Sequence, residues 1–247
     1  MKKLFLTLSL FIIASFMLSA CSLPFINVVR GSGNLTSESR QVSGFSAVRL
    51  DGAGKLLLTQ GETESLTIEA EDNILPELNS TVQGDTLVLG FQDNFWRQTV
   101  IPTRTITYTL TVKDLSKVTF NGAGDLEMDD LNTGSFSITI NGAGQASVNN
   151  LNADSVNIQI SGTGNIQLAG EVTQQHIIID GAGNVQTGNL QSASATVNVN
   201  GLGNATVWAT ETLDVTINGG GTLGYFGAPN ISQNINGAGN INSLGNK

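Results

Sequence analysis

Val118-Thr-Phe-Asn-Gly-Ala-Gly-Asp-Leu126 returns as Ile138-Thr-Ile-Asn-Gly-Ala-Gly-Gln-Ala146 and again as Ile158-Gln-Ile-Ser-Gly-Thr-Gly-Asn-Ile166. The x-Gly-x-Gly element starts at positions 121, 141, 161, 180, 200, 218 and 236, at spacings of 20, 20, 19, 20, 18 and 18 residues. One more copy starts at Asp51 and a weaker one at Arg30. From Leu50 to Ile235, the residue just before each element from Asp51 onward is Leu, Phe, Ile or Val. Two positions earlier stands Val or Ile again, with Gln233 the exception. An apolar residue also stands five positions after each start, from Leu56 to Ile241. Thr, Ser, Asn and Gln fill most places between. Apolar and polar side chains thus alternate on both sides of a glycine corner, which reads as strand, tight turn, strand.

A unit of about 20 residues with two short strands cannot bury its own apolar face, so copies must stack, each strand pairing with its equivalent in the next rung. The fold class that follows is all-β, a single-stranded parallel β-helix or β-solenoid with rungs of about 20 residues, for which a right-handed coil is expected. Glycine supplies φ > 0 and Asn or Asp tolerates it, so left-handed backbone is expected at the corners, with stacked Asn side chains forming a ladder.

The repeat divides the chain. Residues 116–241 carry the regular elements and 44–115 an irregular part, read as the strands Leu56–Leu58, Leu66–Ile68, Thr86–Leu89 and Thr105–Val112, with a short helical turn or loop at Asp72–Leu78. Residues 91–103 look like an excursion, and 242–247 form a polar tail. Residues 1–20 read as a secretory signal: Lys2 and Lys3 precede an apolar run from Leu4 to Leu18 that is short for a membrane span. It ends in Leu18-Ser19-Ala20-Cys21, similar to a bacterial lipobox, which makes Cys21 the lipidation site and 21–43 a tether. The expected partner on that side is the membrane, and the expected location is the cell envelope, outside the cytoplasm. Cys21 is the only cysteine, so no disulfide can form within the chain.

The chain's 247 residues include 29 Gly and 25 Asn, and its 11 Lys and Arg against 20 Asp and Glu give a net charge of −9. From Asn121 onward Lys247 is the sole basic residue, so a surface that tracks nucleic-acid phosphates is excluded. Calcium-binding glycine repeats need aspartates at each turn. Here the residues after the turns run Asp125, Gln145, Asn165, Asn184 and Asn204, so no metal site is expected. No helix follows any Gly-x-Gly, which removes a dinucleotide loop, and no cofactor is expected. Glu127 and Asp129 share an outward face, His176 stands alone, and no Gly-x-Ser-x-Gly occurs, so no catalytic residue is assigned. Phe95-Trp96-Arg97 is the candidate contact for a partner protein or glycan, with coverage of an open solenoid end as its structural alternative. Trp208, Tyr225 and Phe226 read as packing residues.

Three stretches carry a family resemblance: Phe45-Ser-Ala-Val-Arg-Leu-Asp-Gly-Ala-Gly54; Leu66-Thr-Ile-Glu-Ala70 with Gly84-Asp-Thr-Leu-Val-Leu89; and the later Asn-Gly-Ala-Gly runs. Over about Phe45 to Gly239 the chain resembles the auto-transporter adhesin head GIN domain family of bacteria. The resemblance implies a surface β-helix and brings no catalytic residues. The reading is a non-enzymatic envelope lipoprotein presenting a rigid solenoid for adhesion or scaffolding. A β-helix carbohydrate-active enzyme and a self-assembling, homo-oligomeric envelope element are the alternatives.

Overall fold

The computed structural model of the chain describes residues 27–92 and 98–247. Cys21 and the Phe95-Trp96-Arg97 candidate therefore lie outside the described residues. In chain order the strands are β1 (Asn27–Arg30), β2 (Leu35–Arg40), β3 (Ala47–Leu50), β4 (Ala53–Gln60), β5 (Ser65–Glu71), β6 (Leu78–Gln83), β7 (Thr86–Phe91), β8 (Gln98–Ile101), β9 (Thr107–Val112) and β10 (Lys117–Phe120). Five long strands follow: β11 (Ala123–Ile140), β12 (Ala143–Ile160), β13 (Thr163–Ile179), β14 (Ala182–Val199) and β15 (Leu202–Ile217). β16 (Gly220–Phe226), β17 (Asn230–Ile235) and β18 (Ala238–Ser243) complete the chain.

The chain is a parallel β-solenoid. Each long strand wraps from one Gly-x-Gly corner to the next and pairs in parallel with its copy one repeat later, Ala123 with Ala143 and Ile140 with Ile160. The alternation read from the sequence becomes columns: Leu50, Phe120, Ile140, Ile160, Ile179 and Ile217 are all fully buried and stacked one above another. Each such side chain contributes roughly 1.5–3 kcal/mol by leaving water, which is what holds strands with so little charge together.

The corners are built differently from the expectation. Positive φ occurs at Gly33, Gly44, Gly84, Gly90, Gly170, Gly227 and Gly245, and at none of the corner glycines from Gly52 to Gly239. Glycine is required there by space between rungs. A Cβ on Gly142 would lie 2.0 Å from the Gly122 carbonyl oxygen, one on Gly162 1.8 Å from that of Gly142, and one on Gly181 2.0 Å from that of Gly162. The second glycine lies over the core column, where a Cβ on Gly124 would be 2.4 Å from the Phe120 ring. Only hydrogen fits, because the backbones themselves are the packing surface.

The expected side-chain ladder is present, in two pieces. Asn121 donates Nδ2 to Asp51 Oδ1 at 2.7 Å, and Asn141 donates to Asn121 at 2.8 Å. After Ser161 the series starts again, with Asn200 donating to Asp180 at 2.8 Å, Asn218 to Asn200 at 2.8 Å and Asn236 to Asn218 at 2.9 Å. Each piece begins on an aspartate, which accepts without having a proton to give.

Where the repeat shortens to 19 residues, the β12–β13 register shifts between Val148 and Leu151. Gly170 sits there at φ 126°, with the Leu151 carbonyl oxygen 2.2 Å from where a Cβ would be. The slip turns Gln175 into the core column of Phe136 and Val156. Gln175 is buried and donates to the Leu190 carbonyl at 2.9 Å and to Ser192 Oγ at 3.1 Å.

In the irregular part, β3 and β4 pair directly with β10 and β11, Leu50 against Phe120 and Ala53 against Ala123. The intervening chain builds one further rung, with β7 beside β3 and β9 beside β4, and then closes it. β6 runs antiparallel to β7, β5 antiparallel to β9, and β2 antiparallel to β5, joined by a 3₁₀ turn at Leu75–Glu77. Residues 27–43, expected in the tether, thus contribute β1 and β2 to the folded body. Antiparallel strands cannot continue the parallel stack, and the exposed edge strand β2 carries Glu38 and Arg40. At the other end β17 is exposed along its length, with Ile231 and Ile235 each 40% accessible. β18 runs to Ser243, and the Lys247 ammonium lies 4.7 Å from the Phe226 ring centre and donates to the Gly188 carbonyl at 2.7 Å.

Two tests follow from the corners. Gly162→Ala is expected to destabilise by roughly 1–3 kcal/mol, as overpacking does. Gly134→Ala, where nothing lies within 4 Å of the added carbon, should leave urea denaturation unchanged or stabilise by about 0.4–1 kcal/mol. Replacing Ser161 and Asp180 together by Asn should join the two ladders, and a double-mutant cycle is expected to show favourable coupling of about 1 kcal/mol. Zero coupling would mean the ladder contributes nothing to stability.

Candidate functional site: a lateral groove

The rung formed by β7 and β9 lacks the short corner of its neighbours. Its chain leaves after Phe91 and returns through Pro102–Ile106, and this returning segment stands beside the corners of the following rungs as a wall. Between wall and corners runs a groove of about 670 Å³. Its floor is the corner backbone itself, from Ala53-Gly54 through Ala123-Gly124 and Ala143-Gly144 to Thr163-Gly164. At Gly54 a Cβ would lie 2.8 Å from the Tyr108 ring, whose buried hydroxyl has no hydrogen-bond partner among the described residues.

Arg104 and the column Asp125, Gln145 and Asn165 supply the polar lining. The same column, with Glu127, Ser147, Gln167 and Gln186 beside it, lines a second hollow of about 200 Å³. A third, of about 210 Å³, continues past Gln167 and Gln186 to Asn189 and Phe226. These three share lining residues and form one track across the rungs.

The wall is pinned from behind by Glu71. This residue is 1% accessible, and its carboxylate accepts from Gly33 N–H at 2.7 Å, Thr103 N–H at 2.8 Å, Thr103 Oγ1 at 2.5 Å and Arg104 N–H at 3.3 Å. Burial pushes the carboxyl up, but the Thr103 hydroxyl and the N–H groups of Thr103, Gly33 and Arg104 outweigh it and hold the pKa at about 2, against an ordinary 4.5. One side chain therefore joins the cap, the turn after β1 and the groove wall.

The acidic pair singled out in the sequence is exposed, and each member is engaged. Glu127 pairs with Lys55 at 2.8 Å, a residue brought beside it by the β4–β11 pairing. Asp129 accepts from Asn149 Nδ2 at 2.8 Å. His176 is half-buried between Asn157 and Thr196 in neighbouring rungs. Among the described residues, no three His, Cys, Asp or Glu side chains come together as a metal site. The groove itself is assembled from single residues per repeat and a wall some distance away in sequence. Its one signal in the sequence is the Asp125-Gln145-Asn165 series, which follows the corners with amides where calcium repeats carry aspartates.

The family model "Putative auto-transporter adhesin, head GIN domain" matches residues 44–229. The chain belongs to this family. A putative adhesin from Bacteroides fragilis has a solved structure 27% identical to the chain, with a TM-score of 0.82, covering 87% of this chain and 100% of that one. A putative lipid binding protein from Parabacteroides distasonis (20% identity, TM-score 0.69, 88% and 100% covered) and a putative adhesin from Parabacteroides merdae (21%, 0.65, 88% and 99%) share the fold. No curated protein matches. Family membership points to a cell-surface or extracellular location and a binding role. Among the described residues no helix is long and apolar enough to cross a membrane.

Because Glu71 titrates near 4.5 unfolded and near 2 folded, it stabilises the fold fully above pH 4.5 and loses that contribution as pH falls toward 2. Glu71→Gln should lower the melting temperature at pH 7 and flatten its pH dependence over that window. Parallel pH profiles for the two proteins would show that the carboxylate does not anchor the wall.

Proposed function

We propose that this chain is a cell-envelope lipoprotein that displays a rigid β-solenoid for adhesion-type binding, without catalysis, and that the lateral groove is its contact surface. The observation that carries this is the form of the groove: a long open track of polar side chains repeated rung by rung. Such a surface suits contact along a length of partner, whereas catalysis converges titratable groups on one bond. Glu127 and Asp129, tied to Lys55 and Asn149, are engaged on an exposed strand.

The anchor rests on the sequence, through Lys2 and Lys3, the apolar run and the Leu18-Ser19-Ala20-Cys21 ending. β1 begins at Asn27 beside the capped end of the solenoid, so a lipid on Cys21 would hold that end within about 20 Å of the membrane, with the open end pointing away. Exposed Ile231 and Ile235 favour a second reading, in which copies associate through their open ends.

In the native host, Cys21→Ser should move the protein from the membrane fraction to the soluble fraction. Retention would refute the lipid anchor. Cells displaying the wild-type chain should adhere to a surface on which cells carrying a deletion do not, and equal adhesion would refute the binding role. Light scattering that shows a concentration-independent monomer would remove the second reading.

A further inference from the structure

Two polar columns run side by side along the solenoid, and they differ in one respect. The corner asparagines spend their amides on each other, as in the pairs Asn141–Asn121 and Asn218–Asn200. Gln145, Asn165 and Asn184, a few residues further along each rung, make no side-chain hydrogen bond among the described residues. Asn204 accepts only from the Thr222 N–H. Gln145, Asn165 and Asn184 line the groove and its continuation, and each offers both a donor and an acceptor to solvent.

We propose that this track binds a neutral, hydroxyl-rich polysaccharide, extended along the solenoid axis. The inference rests on the groove being the contact surface, and adds the class of ligand.

Four observations select that class. The track reaches from the wall at Arg104, on the β9 rung, to Phe226 in β16, seven rung spacings of about 4.8 Å or roughly 34 Å in all, which calls for a polymer. Sugar hydroxyls both donate and accept, as the amides do, and repeat along a chain as the amides repeat along the stack. Between Arg104, Asp125 and Glu127 at one end and Lys247 at the other, the lining side chains are uncharged, so an acidic polysaccharide or a basic peptide finds counter-charges only at the ends of the track. The floor is glycine, alanine and Thr163, with its backbone hydrogen bonds already made between rungs. It offers no strand edge to a peptide and no apolar trough to a lipid tail; Leu202, 71% accessible, stands alone in its column. At the far end the Phe226 ring, with Trp208 beyond it, supplies an aromatic surface on which a sugar ring stacks, and the Lys247 ammonium occupies it in this structure.

The test is calorimetric titration of the Cys21→Ser chain in detergent-free buffer, which carries no lipid of its own, so that any vesicle binding reports on the folded body. The probes are cellohexaose, laminarihexaose, maltohexaose and xylohexaose, each beside its trimer, with hexagalacturonate and phosphatidylcholine vesicles for comparison. The expected result is that at least one neutral hexamer binds, more tightly than its trimer, and that hexagalacturonate and vesicles do not. The double variant Gln145→Ala/Asn165→Ala should weaken binding by at least about tenfold. Ala143→Tyr, which fills the groove from an exposed position, should do the same, while Gln159→Ala on the strand before the corner leaves it unchanged. Circular dichroism of each variant confirms folding.

Binding of no neutral hexamer overturns the proposal, as does preference for hexagalacturonate or vesicles, or affinity unchanged in both groove variants. A chain that supports cell adhesion yet binds no neutral hexamer loses this ligand assignment and keeps its binding role. A chain that does neither loses both.

Discussion

The stack rests on a backbone-to-backbone approach: from Gly122 onward, the first glycine of each corner lies over the carbonyl of the glycine one rung below. A Cβ at Gly142, Gly162, Gly201 or Gly219 would stand about 2 Å from that oxygen. Everything regular in the structure depends on this contact. It lets the strands on both sides of the corner keep register, so that Ile140 falls on Ile160 and the core forms as columns. It also keeps the corner face low, since no side chain larger than Ala, Thr or an occasional Leu projects between the two glycines. The groove floor is thus a consequence of the packing rule that makes the stack possible.

The irregular part follows from what a stack cannot do for itself. A parallel solenoid has two open ends, and each exposes strand edges and the last layer of core. At the amino-terminal end the chain closes the stack with antiparallel β2, β5 and β6. The detour that replaces the corner of that last rung returns as the Pro102–Ile106 wall, fastened to the cap by Glu71. Capping and site construction are therefore one event. Damage to the Glu71 contacts reaches the groove without touching a lining side chain. The other end stays open, with Ile231 and Ile235 partly exposed and Gln233 standing where earlier rungs place Val or Ile.

Much of this was legible in the sequence, because a repeat states the same local rule many times. The inward columns, the place of the corners, the strands β4, β5, β7 and β9 of the irregular part and the Asn ladder follow from residue spacing, whereas β1, β2, β6 and β8 do not. The reason for glycine did not follow. Left-handed backbone and absence of a Cβ ask for the same residue, and only the distance between rungs separates them. The pairing of β3 with β10, of Lys55 with Glu127, and the inward turn of Gln175 were equally hidden. Each arises from contacts far apart in the chain or from a register slip of one residue. The groove was half visible: its amide column was in view as a column, but its wall comes from outside the repeat.

Two neighbouring columns of amides divide the labour, one consumed in holding rungs together and one left for a ligand. Side-chain amide hydrogen exchange, followed residue by residue by nuclear magnetic resonance, reads this directly and needs no knowledge of the ligand. Slow exchange is expected at Nδ2 of Asn121, Asn141, Asn200, Asn218 and Asn236, and fast, solvent-like exchange at Gln145, Asn165 and Asn184. Equal rates in the two columns, or protection of Gln145, Asn165 and Asn184 in the free protein, would contradict that division.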